Sequence, residues 1–375
     1  MWGVQSSTEH IRSLDLCRGL AALVILFYHI WFLFSDGGAL LSSGYLCVDF
    51  FFLLSGFVIA NSYEERLQAG LGFARFFAIR MARIWPLVAF STLLALIFQF
   101  PRWHRELGTI DGPGLAITVL FNGFSLPSPT SPNQILFPLN GAAWSIFFEL
   151  AVNFLYAWLV PLLSRGVLIG LIVMSGIALA LTGLMHNTLD IGWGTTNFVF
   201  GFPRVAFSFF LGVLLYRALR GGPRAPGTFS PWVLGLSLLV VLATLSAPAS
   251  LLAGAKGLYD FAIVAVALPA LLVVAVGTRY RSWGNTVAWL LGGTSYSVYL
   301  LQTPLVIGFS GIPQVLFGTK IAAYTPWAGI LFIALFLPLT YVVWRYFERP
   351  AQSWLLAKTI GRQSDQTYVL GVPKQ

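Results

Sequence analysis

The chain has 375 residues, of which 57% are hydrophobic and only 9% charged. A soluble domain carries about 25% charged residues, so this composition excludes a water-facing globular surface and indicates a polytopic membrane protein. The net charge of +9 would point to nucleic acid on a soluble protein; here it reads as Lys and Arg gathered in cytoplasmic loops, and no nucleic-acid partner is implied.

Each transmembrane helix needs about 20 apolar residues. Such runs lie at 16–34, 44–62, 84–100, 141–163, 166–184, 199–216, 231–247, 257–277, 287–308 and 325–344. They predict an all-α transmembrane helical bundle of about ten spans. No small-residue cleavage site follows the first run, which reads as a retained anchor. Cys17 and Cys47 form no CxxC pair and fall on separate helices, so neither a disulfide nor a metal site is implied.

Before the third run, "LGFARFFAIRMARIWP" sets Phe73, Phe76, Phe77, Met81 and Ile84 at helical spacing among Arg75, Arg80 and Arg83. This predicts an amphipathic helix on the cytoplasmic face. The run 114–124 is bracketed by Gly112, Pro113, Gly114 and Pro127. It is too short to span and reads as a re-entrant or interfacial helix on the outer side. The uncharged stretch 125–141, rich in Pro and Ser, reads as a structured outer loop or lid. No internal repeat is visible. The chain divides into a membrane domain, 1–355, and a polar, disordered cytoplasmic tail, 356–375.

With the N-terminus inside, the outer loops hold only Arg102, Arg105, Lys256 and Lys320 of the 22 Lys and Arg, and Arg204 falls within a helix. This positive-inside bias places both termini in the cytoplasm of a plasma (inner) membrane protein. It would largely cancel if 114–124 also crossed.

Ionisable groups inside spans are costly and mark either a site or a buried pair. Here they are Asp15, Arg18, His29, Asp49, Glu149, Arg204 and Asp260, with Glu348 at the inner end of the last span. Asp15 and Arg18 share a helix face. His29 lies eleven residues past Arg18, about three full turns and about 16 Å away, on that same face. Glu149, Asp49, Arg204 and Gln302 fall at a depth similar to His29. Asp15, Arg18, Arg80, Arg83 and Glu348 form an inner layer. One reading is a path across the membrane. The other is pairing within the bundle, such as Arg204 with Asp49 or Asp260. The pattern suits acyl transfer, in which a hydroxyl nucleophile needs a histidine base, a carboxylate can orient that imidazole, and arginines can hold a phosphorylated donor.

Several segments carry a family resemblance. "DLCRGLAALVILFYH" resembles an Arg, ten residues, His signature on Arg18 and His29. "GYLCVDFFFLLSGFVIA", "FAIRMARIWPL", "AAWSIFFEL", "PRVAFSFFLGVLLYR", "GTSYSVYLLQTPL" and "YFERP" follow in the order of the acyltransferase-3 family of integral membrane acyltransferases. The resemblance covers about residues 12 to 350. It implies a ten-span enzyme that moves an acyl group, usually acetyl, from cytoplasmic acyl-coenzyme A (acyl-CoA) to a hydroxyl of a glycan, glycolipid or secreted small molecule. Acyl-CoA is then a co-substrate, with no permanently bound cofactor.

The resemblance makes Arg18 and His29 essential, His29 either as general base or as a transient acyl carrier, and Arg80 and Arg83 donor-binding. Asp15 and Glu149 join the catalytic set, with Glu149 orienting His29 or acting as its acid/base partner. Asp49, Trp144, Ser145, Arg204 and Gln302 are expected in the acceptor pocket. Many members have His where this chain has Gln302, which removes a possible second base. The chain also lacks the extracellular domain that some members append. A transporter or exporter using the polar layers as its path is the alternative reading, and an inert scaffold is a third.

Overall fold

The computed structural model describes residues 11–35, 40–106, 112–130, 135–220, 228–252, 254–279 and 282–360. Among these described residues, thirteen α-helices run in chain order. They are α1 (Arg12–Phe34), α2 (Cys47–Gln68), α3 (Phe73–Glu106), α4 (Gly112–Gly123), α5 (Ala143–Leu159), α6 (Arg165–His186) and α7 (Gly201–Arg220). There follow α8 (Pro231–Leu245), α9 (Lys256–Ala262), α10 (Leu268–Val276), α11 (Ser282–Phe317), α12 (Trp327–Val343) and α13 (Arg349–Ile360). A π-helical turn, Ile263–Ala267, joins α9 to α10, and a second, Trp344–Glu348, joins α12 to α13. The chain is an all-α, multi-pass helical bundle.

Among the described residues, nine helical stretches are long and apolar enough to cross a membrane. The tenth expected span is α8, only 15 residues and about 22 Å long, against a hydrocarbon core of about 30 Å. It still runs the length of its neighbour. The Phe229 N–H donates to the Gly277 carbonyl at 3.0 Å at one end. The Tyr259 hydroxyl donates to the Thr244 carbonyl at 2.8 Å at the other.

Two helix pairs form the frame, and glycines let them close. A Cβ on Gly19 or Gly292 would collide with Leu291 or Asp15 across the α1–α11 seam. One on Gly56 or Gly212 would strike the Phe209 or Leu53 backbone across α2–α7. Small residues of this kind let backbones approach where water exclusion gives no drive. The helices α1 and α11 run parallel, because Arg18 bonds Ser295 near one end and Phe34 stacks on Phe309 near the other.

Two expectations change. The segment from Phe73 does not lie on the surface as a separate amphipathic helix. It is the start of α3, a single 34-residue helix. Phe76, Ile79 and Arg80 are buried in the bundle, so its polar face meets protein. The last span does not stop at 344 but continues through the π-turn to Ile360, with Leu356 buried. The start of the expected tail is therefore helix, and its remainder, 361–375, lies outside the described residues. The short α4 dips into the bundle, where Phe124 just past its end stacks on Trp85 of α3. The stretch after it is pinned by Asn140, whose side-chain amide donates to Ser91 Oγ at 3.0 Å and to the Leu300 carbonyl at 2.9 Å.

Candidate active site

A cavity of about 470 Å³ opens between α1, α2, α3, α5, α11 and α13, within the range of small-molecule sites, about 300–1,000 Å³. Its lining runs from Arg12, Arg349 and Ser353, at the end where α1 begins, to Ser145 and Tyr299 at its roof. Five arginines line it, Arg12, Arg18, Arg80, Arg83 and Arg349, against the three carboxylates Asp15, Glu149 and Glu348. The excess positive charge suits an anionic ligand.

Each deep charge is anchored. Arg18 Nη2 donates to Asp15 Oδ1 at 3.1 Å and to the Gly292 carbonyl at 2.7 Å, and its Nε donates to Ser295 Oγ at 3.0 Å. Arg80 is buried and its Nη2 donates to Glu149 Oε1 at 2.9 Å. Ser55 adds a second donor to the same oxygen at 3.1 Å. Glu348, turned inward by the π-helical turn, accepts from Ser297 Oγ at 2.5 Å and from Gln352 Nε2 at 3.1 Å. By contrast, no carboxylate among the described residues lies within ion-pair distance of Arg12, Arg83 or Arg349. These three are the cations available to a ligand.

The roof is a polar–aromatic layer. Ser145 Oγ and the Tyr299 hydroxyl are 2.7 Å apart, and Phe51 packs edge-on against Tyr299 at 5.4 Å. His29 stands beyond it and does not line the cavity. His29 Nδ1 lies 2.9 Å from the Ile25 carbonyl. A carbonyl only accepts, so Nδ1 carries the proton and Nε2 keeps its lone pair.

The structure brings Asp15, Arg18, Arg80, Arg83, Glu149 and Ser145 together around one cavity. It does not bring His29, Asp49, Trp144, Arg204 or Gln302 there. Glu149 holds Arg80 rather than orienting His29, because α5 runs toward the mouth. One turn past Ser145, Glu149 is carried away from the histidine. Asp49 and Arg204 do not face an acceptor pocket. Both are fully buried, with Arg204 Nη2 donating to Asp49 Oδ2 at 2.7 Å and Nη1 to the Ile191 carbonyl at 2.7 Å. They tie α2 to α7. Trp144 supports this pair through its ring, 5.2 Å from the Arg204 guanidinium carbon. Lys256, expected in an outer loop, is buried in an ion pair with Asp260.

Gln302 is fully buried, and neither its Nε2 nor its Oε1 has a hydrogen-bond partner among the described residues. Such unpaired groups cost about 1–3 kcal/mol each.

Reading the sequence alone missed two kinds of residue. Arg12 reaches the cavity from a helix end, and Ser55, Tyr299 and Arg349 lie inside the segments quoted for the family resemblance, where they were not singled out. The second is Asp190, in the α6–α7 connection, which accepts from the Tyr28 hydroxyl at 3.4 Å. Asp190 lies near enough to His29 and Arg204 for their charges to act on it, and burial pushes its carboxyl above the usual carboxylate range. The signal was its setting between apolar Leu189 and Ile191, unusual for a solvated loop.

Fold and cavity together define a multi-pass membrane protein built around an interior cationic site. The family model described as "Acyltransferase domain" matches residues 11–347. The chain belongs to that family and is an acyltransferase. It is similar to "Protein 2 in picA locus" of Rhizobium radiobacter, 38% identical over 164 residues, covering 41% of this chain and 84% of that protein. It is also similar to the peptidoglycan O-acetyltransferase OatA of Listeria monocytogenes, 27% identical over 139 residues, covering 33% of this chain and 21% of the relative. The chain thus aligns with about a fifth of OatA. No solved structure matches.

Proposed function

We propose that the protein transfers an acyl group, in the first instance acetyl, from cytoplasmic acyl-CoA to a hydroxyl on the outer side of the membrane. The acceptor class is a glycan, glycolipid or secreted small molecule. The observation that carries this reading is the alignment along one face of α1. Arg18 belongs to a cationic cavity, and His29, about 16 Å further on, presents a free Nε2 beyond the roof. Arg83, Arg349 and Arg12 hold the donor's phosphates at the mouth by charge-assisted bonds. The narrow pantetheine arm extends toward the roof, and Ser145 and Tyr299 part to admit it.

His29 Nε2 then takes the acceptor hydroxyl proton as that oxygen attacks the thioester carbonyl. The C–O bond forms and the C–S bond breaks. The proton passes from the imidazolium to the departing thiolate. Asp190 stabilises the imidazolium in the role first given to Glu149. The O-acetyltransferase named among the relatives supports an acetyl donor, and its printed acceptor makes peptidoglycan one candidate.

The test is His29→Ala in membrane vesicles from the native host, supplied with radiolabelled acetyl-CoA. Label retained in envelope material falls by about 10²-fold or more. Full retained transfer overturns the proposal.

A further inference from the structure

Gln302 of α11 has both of its side-chain polar atoms buried without partners among the described residues. Its position follows from its neighbours. Ser295, seven residues before it, bonds Arg18 of α1. Phe309, seven after it, stacks on Phe34 of α1. Seven residues are close to two helical turns, so Gln302 shares the face that meets α1. The Arg18–Ser295 register sets it level with Ile25, whose carbonyl holds His29. It is also three residues beyond Tyr299 of the roof, about 4.5 Å further along the axis. Gln302 therefore stands between the end of the cavity and the histidine.

A primary amide is both donor and acceptor. The chemistry it lacks is another amide, or a carbonyl with an N–H nearby. The thioester end of an acyl-pantetheine arm is such a group, with a secondary amide two carbons from the sulfur. Resting on the acyl-CoA reading above, we infer that Gln302 is the binding station for this arm. Its Oε1 accepts from the arm's amide N–H, and its Nε2 donates to the thioester carbonyl, which holds that carbon within reach of the acceptor hydroxyl that His29 activates. Gln302 takes no part in bond making. It is left unsatisfied by the protein so that the donor satisfies it, which places the cost in the resting state and its relief in the bound one.

This makes stability and binding move in opposite directions. The experiment uses purified full-length protein in detergent micelles. Thermal midpoints are read with increasing acetyl-CoA, and separately with the donor's nucleotide half, adenosine bisphosphate. Gln302→Leu and Gln302→Met remove the amide and keep the volume. Both variants are expected to be as stable as wild type, or more so, without ligand. Both need about tenfold more acetyl-CoA for half-maximal protection, while protection by the nucleotide half is unchanged.

A lowered midpoint with unchanged acetyl-CoA protection makes the amide structural and overturns the inference. So does failure of both variants to accumulate. If wild type is protected by neither compound, the acyl-CoA reading itself fails. If wild type is protected by acetyl-CoA and the variants respond identically, Gln302 alone is ruled out.

Discussion

Arg80 Nη2 stands 2.9 Å from Glu149 Oε1, joining α3 to α5 across the wall of the cavity. Both residues line the cavity, yet each is occupied by the other. Arg80 therefore shapes the site by positioning Glu149, and on the proposed reading the donor's phosphates are left to the unpaired arginines nearer the mouth. Glu149→Gln leaves the buried Arg80 charge uncompensated and lowers stability by about 3 kcal/mol, the lower end for breaking a buried pair, since Glu149 keeps some exposure. The double variant Arg80→Met, Glu149→Leu loses less than the two singles combined. A double-mutant cycle on unfolding midpoints then returns a coupling of about 1–3 kcal/mol.

Asp49 and Arg204, fully buried against each other, predict a different phenotype from a substrate contact. Asp49→Asn costs about 3–5 kcal/mol of stability. The fraction that folds keeps the wild-type KM for donor and acceptor. Quantifying folded protein by size-exclusion fluorescence alongside transfer kinetics checks this. A raised acceptor KM at normal stability contradicts a purely structural pair.

Arg83 and Arg349 line the cavity without carboxylate partners among the described residues, so on the proposed reading their loss acts on donor binding. Arg83→Ala and Arg349→Ala each raise the KM for acetyl-CoA about tenfold, with kcat within about twofold. Wild-type KM rises with ionic strength, and the variants show a shallower salt dependence. Donor-titrated initial rates at two salt concentrations provide the measurement.

Asp190 carries the pH signature. Burial raises its carboxyl above the unfolded value. Between the unfolded and folded values the native state binds more protons than the unfolded chain. Stability from this group is therefore present at low pH and lost as pH rises through that window. Asp190→Asn removes the ionisation, so its thermal midpoint exceeds that of wild type at neutral pH, and the difference closes on acidification below the window. At the same time transfer slows, because the imidazolium of His29 loses a neighbouring negative charge. Scanning fluorimetry from acidic to neutral pH, paired with transfer rates, reads both effects.

The helices were legible in the sequence because each apolar run is long and its flanking charges obey one rule. The α1 face was legible for the same reason that it matters. Arg18 and His29 belong to one helix, and their spacing alone sets their geometry. Partnerships between helices were not legible. Arg80 and Glu149 are separated by 69 residues and Tyr28 and Asp190 by 162. Their choices depend on which helices adjoin, which hydropathy does not encode. The sequence did allow Arg204 to pair with Asp49, but depth alone could not choose between that and a pocket. α3 was divided wrongly because its arginines look like a surface face until α5 supplies the carboxylate that Arg80 meets.

The Ser145–Tyr299 contact has an electrical consequence. A water-accessible pocket that reaches far into a bilayer shortens the insulating path, and any continuous wet channel through it would discharge the membrane potential. With the serine and tyrosine hydroxyls closed at 2.7 Å and the Phe51 ring packed edge-on against the tyrosine, the cavity lining ends at this contact. A ligand crosses this point only by parting the two hydroxyls. On the proposed reading, the acyl-carrying arm fills the gap that it opens, so the seal is kept during transfer.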